Sequence, residues 1–155
     1  MRTHILAVAN RAPEWVRRGV DDYLRRLPAA YRPELRLIRP GRRGRGDDER
    51  ARTEEGQRIL ALLPGSAYVV ALDVVGQGWD TQQLSKRLET WQQAGRDVYL
   101  LIGGPDGLAP ACLERANERW SLSPLTLPHA LVQVVLAEAL YRAWSVTAGH
   151  PYHRD

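Results

Sequence analysis

The residues with the greatest capacity for chemistry lie in the last third of the chain. Residues 103–107 read Gly-Gly-Pro-Asp-Gly. Adjacent glycines let backbone amides come close to a bound molecule and reach dihedrals that other residues avoid. A tight strand-to-helix turn uses the same residues, so the loop alone leaves both readings open. Residues 121–128 interleave Ser121, Ser123 and Thr126 with Leu122, Leu125 and Leu127, and Pro124 and Pro128 fix the chain direction. Such a segment can line an apolar slot whose unpaired backbone groups read the edge of a flat heterocycle, or it can be a plain surface connection. His129 follows at once, as a base, a phosphate contact or a structural histidine near a helix start. His150, Tyr152, His153 and Arg154 crowd hydrogen-bonding side chains into a terminus that otherwise reads as a solvated tail.

Several chemistries are excluded. Cys112 is the only cysteine, which rules out an internal disulfide framework, a multi-cysteine zinc site and a redox thiol pair, and fits a reducing cytoplasm. The glycine spacing after the first strand candidate is not a dinucleotide-binding fingerprint, because Asn10, Arg11 and Ala12 stand there, and no P-loop occurs. Glu138 and Arg142 sit four apart with the acid first, which reads as a pair within one helix. Asp73 is a ligand contact or a turn residue, and Cys112, Trp91, Trp120 and Trp144 read as packing.

The elements that must position these groups alternate between strand and helix. Strand candidates are Thr3 to Ala9, Glu34 to Arg39, Tyr68 to Leu72 and Val98 to Ile102, with an irregular to extended stretch from Trp120 to Leu127. Helices are expected from Pro13, with Trp15, Val16, Val20, Tyr23, Leu24 and Leu27 on one face, from Asp47 or Asp48 to about Leu63, from Asp80 or Thr81 to Gly95, around Pro110 to Ala116, and from Pro128 to about Thr147. Gly76 and Gly78 read as turn residues and residues 41–46 as a solvated loop. Strands separated by crossover helices imply an α/β fold, a mostly parallel sheet flanked by helices, built as one domain over residues 1–155. Ligands in such sheets sit outside the C-terminal strand ends, here after Leu72, after Ile102 and around Leu122 to Leu127.

Charge is uneven. Of the 22 Lys and Arg residues 21 are arginine, and residues 1–58 hold 15 Arg against 9 acids, so the net charge of +4 is concentrated at the N-terminal side. Guanidinium forks suit phosphate, which makes a polyanionic partner plausible. The start of the chain shows no export signal, and Asp73 and Glu138 interrupt the two greasiest segments, so no membrane association and a cytoplasmic location are expected.

Taken together, Trp15 to Arg26 (WVRRGVDDYLRR), Leu72 with Asp73, Gly95 to Val98 (GRDV), Leu101 to Gly107 (LIGGPDG), Trp120 to His129 (WSLSPLTLPH) and Leu140 to Arg154 (LYRAWSVTAGHPYHR) resemble the ribosomal large-subunit pseudouridine methyltransferase H family, a minimal member of the SPOUT class. The resemblance implies a C-terminal trefoil knot, a homodimer, and transfer of a methyl group from S-adenosylmethionine to N3 of a pseudouridine in 23S ribosomal RNA of the assembled ribosome, without a metal. Carried over by position, Leu72, Gly103 and the segment Leu122, Ser123, Pro124, Leu125, Thr126 and Leu127 hold the cofactor. The tail with Tyr152, His153 and Arg154 reaches the active site of the partner subunit. His129, His153 or Arg154 then accepts the N3 proton or stabilises the anion, and Arg17, Arg18, Arg42, Arg43 and Arg45 grip RNA phosphates. Asp106 stands where members of the family often carry Glu. Two other classes fit the pattern of elements and charge: a noncatalytic RNA-binding or assembly factor, and a nicotinamide-dependent oxidoreductase.

Overall fold

The computed structural model describes residues 2–154; Met1 and Asp155, the ends of the expected 1–155 domain, lie outside the described residues. Five parallel strands, β1 (Thr3–Val8), β2 (Glu34–Ile38), β3 (Tyr68–Gly78), β4 (Val98–Ile102) and β5 (Glu118–Ser121), form one sheet in the order β2-β1-β4-β3-β5. The helices are α1 (Glu14–Arg26), α2 (Asp48–Leu62), α3 (Thr81–Ala94), α4 (Pro110–Arg115) and α5 (His129–Ala148), followed by a 3-10 turn at Pro151–Arg154.

Strand alternation divides the core. Ile5, Ala7, Val70, Leu100, Ile102 and Trp120 face α3 and α5, whereas Leu6, Val8, Val69, Ala71 and Leu101 face α2 and α4 with Cys112. Helix α1 packs on α5 through Val16, Val20, Leu24, Ala137 and Tyr141. The α/β reading with helices on both sheet faces therefore holds, and so do the helix boundaries. Asp80 closes a capping box with Gln83, and Gly95 ends α3 in the left-handed region at φ 69°.

Six local expectations are corrected. Strand β3 does not stop at Leu72: it runs on to Gly78, because Gln77 and Gly78 resume pairing with Trp120 and Ser121 after a register shift beyond Leu72. Gly76 and Gly78 are thus strand residues rather than turns. Residues 118–121, read in part as irregular, are the edge strand that provides this pairing. Trp15 is 60% exposed, pointing away from the face that buries Val16 and Val20. The loop 41–46 is anchored as well as solvated: the Gly41 amide donates to Glu55 at 2.9 Å, and Arg43 donates to the same buried carboxylate at 2.6 Å. The tail is folded, with the Tyr152 hydroxyl donating to Glu138 Oε2 at 2.9 Å.

Candidate active site

The middle of β3, the end of β4 with the loop after it, and the loop after β5 meet in one cleft of about 440 Å³. From the first come Leu72, Asp73 and Val74; from the second Ile102, Gly103, Gly104, Pro105 and Gly107; from the third Leu122, Ser123, Leu125, Thr126, Leu127 and Pro128; α5 adds His129 and Val132. The convergence is consistent with the knot that the resemblance implies. Each loop is shaped by its own sequence. Gly107 takes φ +77° and pairs back to Gly104, its amide donating to the Gly104 carbonyl at 3.0 Å. A Cβ at Gly103 would lie 2.4 Å from the Gly107 carbonyl carbon, so only glycine permits the turn to close this tightly. In the third loop Ser121 Oγ donates to the Ser123 carbonyl at 3.0 Å and the Leu125 amide donates to Ser123 Oγ at 3.0 Å. Those local bonds hold the loop without a strand ladder and leave its leucines turned to the cleft.

The lining is mostly apolar, and Asp73 is the one carboxylate on it among the described residues. Its oxygen accepts from the Val75 amide at 3.3 Å. A largely apolar cleft with backbone polar groups and a single anion fits an adenosyl group joined to a sulfonium cation. Of the residues assigned to cofactor binding, Leu72, Gly103, Leu122, Ser123, Leu125, Thr126 and Leu127 lie on this cleft, and His129 joins them; Pro124 does not reach the lining. Sequence reasoning had not assigned Val74 or Val132 to the site, and only the longer β3 brings Val74 there.

The rest of the expected catalytic group is elsewhere. His129 begins α5, whereas Tyr152, His153 and Arg154 follow its far end. The tail turns back along α5 only as far as Glu138, nine residues or about 14 Å of helix beyond His129, and none of its residues lines the cleft of its own chain. It packs beside Tyr141 and Glu138 instead, with the Tyr152 ring 4.5 Å from that of Tyr141 and the Arg142 guanidinium 4.9 Å from Tyr152. Burial, and then the bond to Glu138, pushes the Tyr152 hydroxyl above the usual tyrosine range.

The arginines assigned to RNA divide in two. Arg17, Arg18, Arg42 and Arg45 are exposed, Arg18 pairing with Glu14 at 3.1 Å. Arg43 is committed: besides Glu55, its Nε donates to Asp106 at 3.0 Å, tying the basic loop to the glycine loop of the cleft. Cys112 is packing, as expected, its thiol pushed up to about 11 by burial. No group of three or more His, Cys, Asp or Glu able to hold a metal occurs among the described residues. No helix among them is long and apolar enough to cross a membrane.

Comparison with known proteins supplies the remaining evidence. Residues 1–153 match the family model described as "Predicted SPOUT methyltransferase". The chain is 54% identical over 155 residues to a protein named Ribosomal RNA large subunit methyltransferase H from Chromohalobacter salexigens, covering 99% of this chain and 100% of that one. Its fold is shared with a probable rRNA-methyltransferase from Porphyromonas gingivalis (TM-score 0.56, 16% identity, 94% of this chain and 69% of that one). A probable methyltransferase from Bordetella pertussis Tohama I is equally similar in fold (TM-score 0.56, 14% identity, 92% of each chain). The glycine loop, the leucine-rich loop and the helix that follows them are thus parts of a methyl-transferring fold, and the chain belongs to the SPOUT methyltransferase family.

Proposed function

We propose that the whole chain, residues 1–155, acts as one methyltransferase domain that uses S-adenosylmethionine to methylate N3 of a pseudouridine in 23S ribosomal RNA. The acceptor is the large subunit within the assembled ribosome, and the enzyme works as a homodimer in the cytoplasm. The observation that carries the reading is the meeting of β3 and the loops after β4 and β5 in one apolar cleft with His129 at its edge. The 54% identity to a protein named for large-subunit ribosomal RNA methylation supports the acceptor.

S-adenosylmethionine, when bound, supplies a methyl group already activated on sulfur, so positioning is the protein's main task. Leu72, Gly103, Leu122, Ser123, Leu125, Thr126 and Leu127 hold the donor in the cleft, with the three leucines of the loop excluding water. Asp73 favours the positive charge that the donor brings. An imide N3 becomes nucleophilic when its proton leaves, and His129 is within the cleft to receive it. The absence of Tyr152, His153 and Arg154 from the cleft of their own chain supports dimerisation, since a second copy can place them there. The exposed Arg17, Arg18, Arg42 and Arg45 supply phosphate contacts, while Arg43 braces the loop that carries two of them.

The decisive experiment incubates the protein with methyl-labelled donor and ribosomes that carry or lack the pseudouridine. Label is expected in 23S RNA of the first ribosomes and not of the second. Equal labelling of both would remove the pseudouridine assignment, and labelling of neither would remove the function.

A further inference from the structure

A second cleft, of about 350 Å³, adjoins the first, and Pro105 and His129 belong to both walls. Topology puts it there. Strands β1 and β4 are neighbours, yet the chain leaves β1 toward α1 on one sheet face and leaves β4 toward α4 on the other. Adjacent strands whose connections diverge open a crevice at their C-terminal ends. The wall of this one includes Asn10 and Arg11 after β1, Arg43 after β2, and Gln133 on α5.

Gln133 is the unusual member. It is only 4% exposed, it lies one helical turn beyond His129, and its Nε2 is buried without a hydrogen-bond partner. Nearly all buried polar groups in folded proteins are partnered, so an unpartnered buried donor on a residue of the cleft wall marks where an acceptor belongs.

We infer that this second cleft receives the base of the target nucleotide and that the Gln133 amide donates a hydrogen bond to one of its carbonyl oxygens. The inference rests on the RNA methyltransferase reading above. A uracil-type ring has a carbonyl on each side of N3 and so presents acceptors to a donor, whereas cytosine presents an amino group on one side. In the reaction the N3 proton passes to a base in the cleft or to water, the nitrogen pair forms the bond to the methyl carbon, and the carbon–sulfur bond breaks with its electron pair remaining on sulfur. As the proton leaves, negative charge spreads from N3 onto the two carbonyl oxygens. A donor fixed at one of them holds the anion more strongly than the neutral base, which is the differential binding that raises a rate. Exposed Arg11 at the mouth meets the flanking phosphate.

The charged and titratable groups around Gln133 are Arg11, Arg43 and His129 on the cleft and, on the neighbouring pocket beside α1 that Gln133 also lines, Arg17, Asp21, Arg25 and Arg32. His129 is present in both proteins compared below. The test is Gln133→Met, which keeps the length of the side chain and removes the donor. Methyl transfer to pseudouridine-bearing ribosomes at saturating donor is expected to fall by about tenfold or more. The pH at which the rate is half-maximal should move upward. Donor affinity should stay within about twofold, and the melting temperature should not fall, because an unpartnered amide has been replaced by an apolar group. Gln133→Leu carries the same test if the methionine variant folds poorly. An unchanged rate and pH midpoint would overturn the inference, as would a loss of rate matched by a loss of donor affinity or of stability. Wild-type protein that labels no ribosome overturns the proposed function and this inference with it, an outcome distinguished because the variant plays no part in it.

Discussion

The molecule builds the same trio of groups twice. At the edge of the sheet, Tyr68 of β3 donates its hydroxyl to Glu118 of β5 at 2.7 Å, and Arg87 of α3 binds the same carboxylate while stacking 4.0 Å from the ring of Trp79. At the end of α5, Tyr152 donates to Glu138 at 2.9 Å, and Arg142 donates to that carboxylate at 3.1 Å. Tyrosine, glutamate and arginine are alike in both; what differs is the length of chain they join. Tyr68 and Glu118 are 50 residues apart and Arg87 is 31 from Glu118, so the first trio fastens two strands and a helix. Tyr152 is 14 residues from Glu138 and Arg142 is 4, so the second fastens only the tail to the helix before it. Identical chemistry therefore joins distant strands in one place and, in the other, ties down a terminal segment whose release would break no strand pairing.

The largest effect is expected from Glu118→Ala. It leaves the Tyr68 hydroxyl and the Arg87 guanidinium without their shared acceptor in a partly buried site, at a cost of about 2–3 kcal/mol. For a chain of this length that lowers the melting temperature by roughly 5–10 °C. Methyl transfer per folded molecule should be unchanged, and calorimetry alongside a transfer assay at low temperature checks both. A transfer rate that fell with stability intact would place the sheet trio in the catalytic machinery and erase the contrast.

Tyr152→Phe should act in the opposite sense. One hydrogen bond to Glu138 is lost, worth about 0.5–1.5 kcal/mol if the tail unfolded only with the whole chain, and less if it detaches alone. If the tail of one copy completes the site of another, loosening it misplaces His153 and Arg154 and lowers transfer by about tenfold. Rate measurements at saturating ribosomes, with the melting temperature held as the control, separate this outcome from a structural one. Unchanged transfer would leave the tail as packing alone.

The legibility of the molecule from its residues follows the same division between local and distant partners. Helices α1, α3 and α5 could be read because their signals are local: Pro13 and Pro128 at the starts, the Asp80–Gln83 capping box, Gly95 at a stop. The candidate cleft was legible in its glycine and leucine loops for a similar reason, since backbone freedom at Gly103 and the serine bonds of residues 121–125 are short-range. The second half of β3 was not. Its extension depends on pairing with Trp120 and Ser121, some 43 residues on, and Gly76 and Gly78 advertise a turn when read alone. Arg43 was read as a solvated cation because nothing nearby in sequence reveals that Glu55 is buried beside it or that Asp106, 63 residues away, closes the bridge. The open amide of Gln133 is invisible to any sequence pattern, since it is defined by the absence of a partner in three dimensions.

The smallest effect is the one that tests the contrast most finely. Burial, and then the bond to Glu118, pushes the Tyr68 hydroxyl up to about 12. In an unfolded chain a tyrosine ionises near pH ~10. Across that interval the unfolded chain sheds a proton that the folded chain keeps, so the stability contributed by this hydroxyl is complete below about pH 10 and is lost as pH rises toward the folded value. Denaturant titrations from pH 9 to 12 should show wild-type stability falling more steeply than that of Tyr68→Phe. Tyr152 is shifted in the same direction, by burial and by Glu138, but a tail that detaches alone can release its proton without unfolding the sheet. Tyr152→Phe should therefore flatten the global pH dependence less than Tyr68→Phe does. Equal flattening by the two substitutions would mean that the tail unfolds only with the whole molecule, and a tail locked in that way could not move to a second subunit.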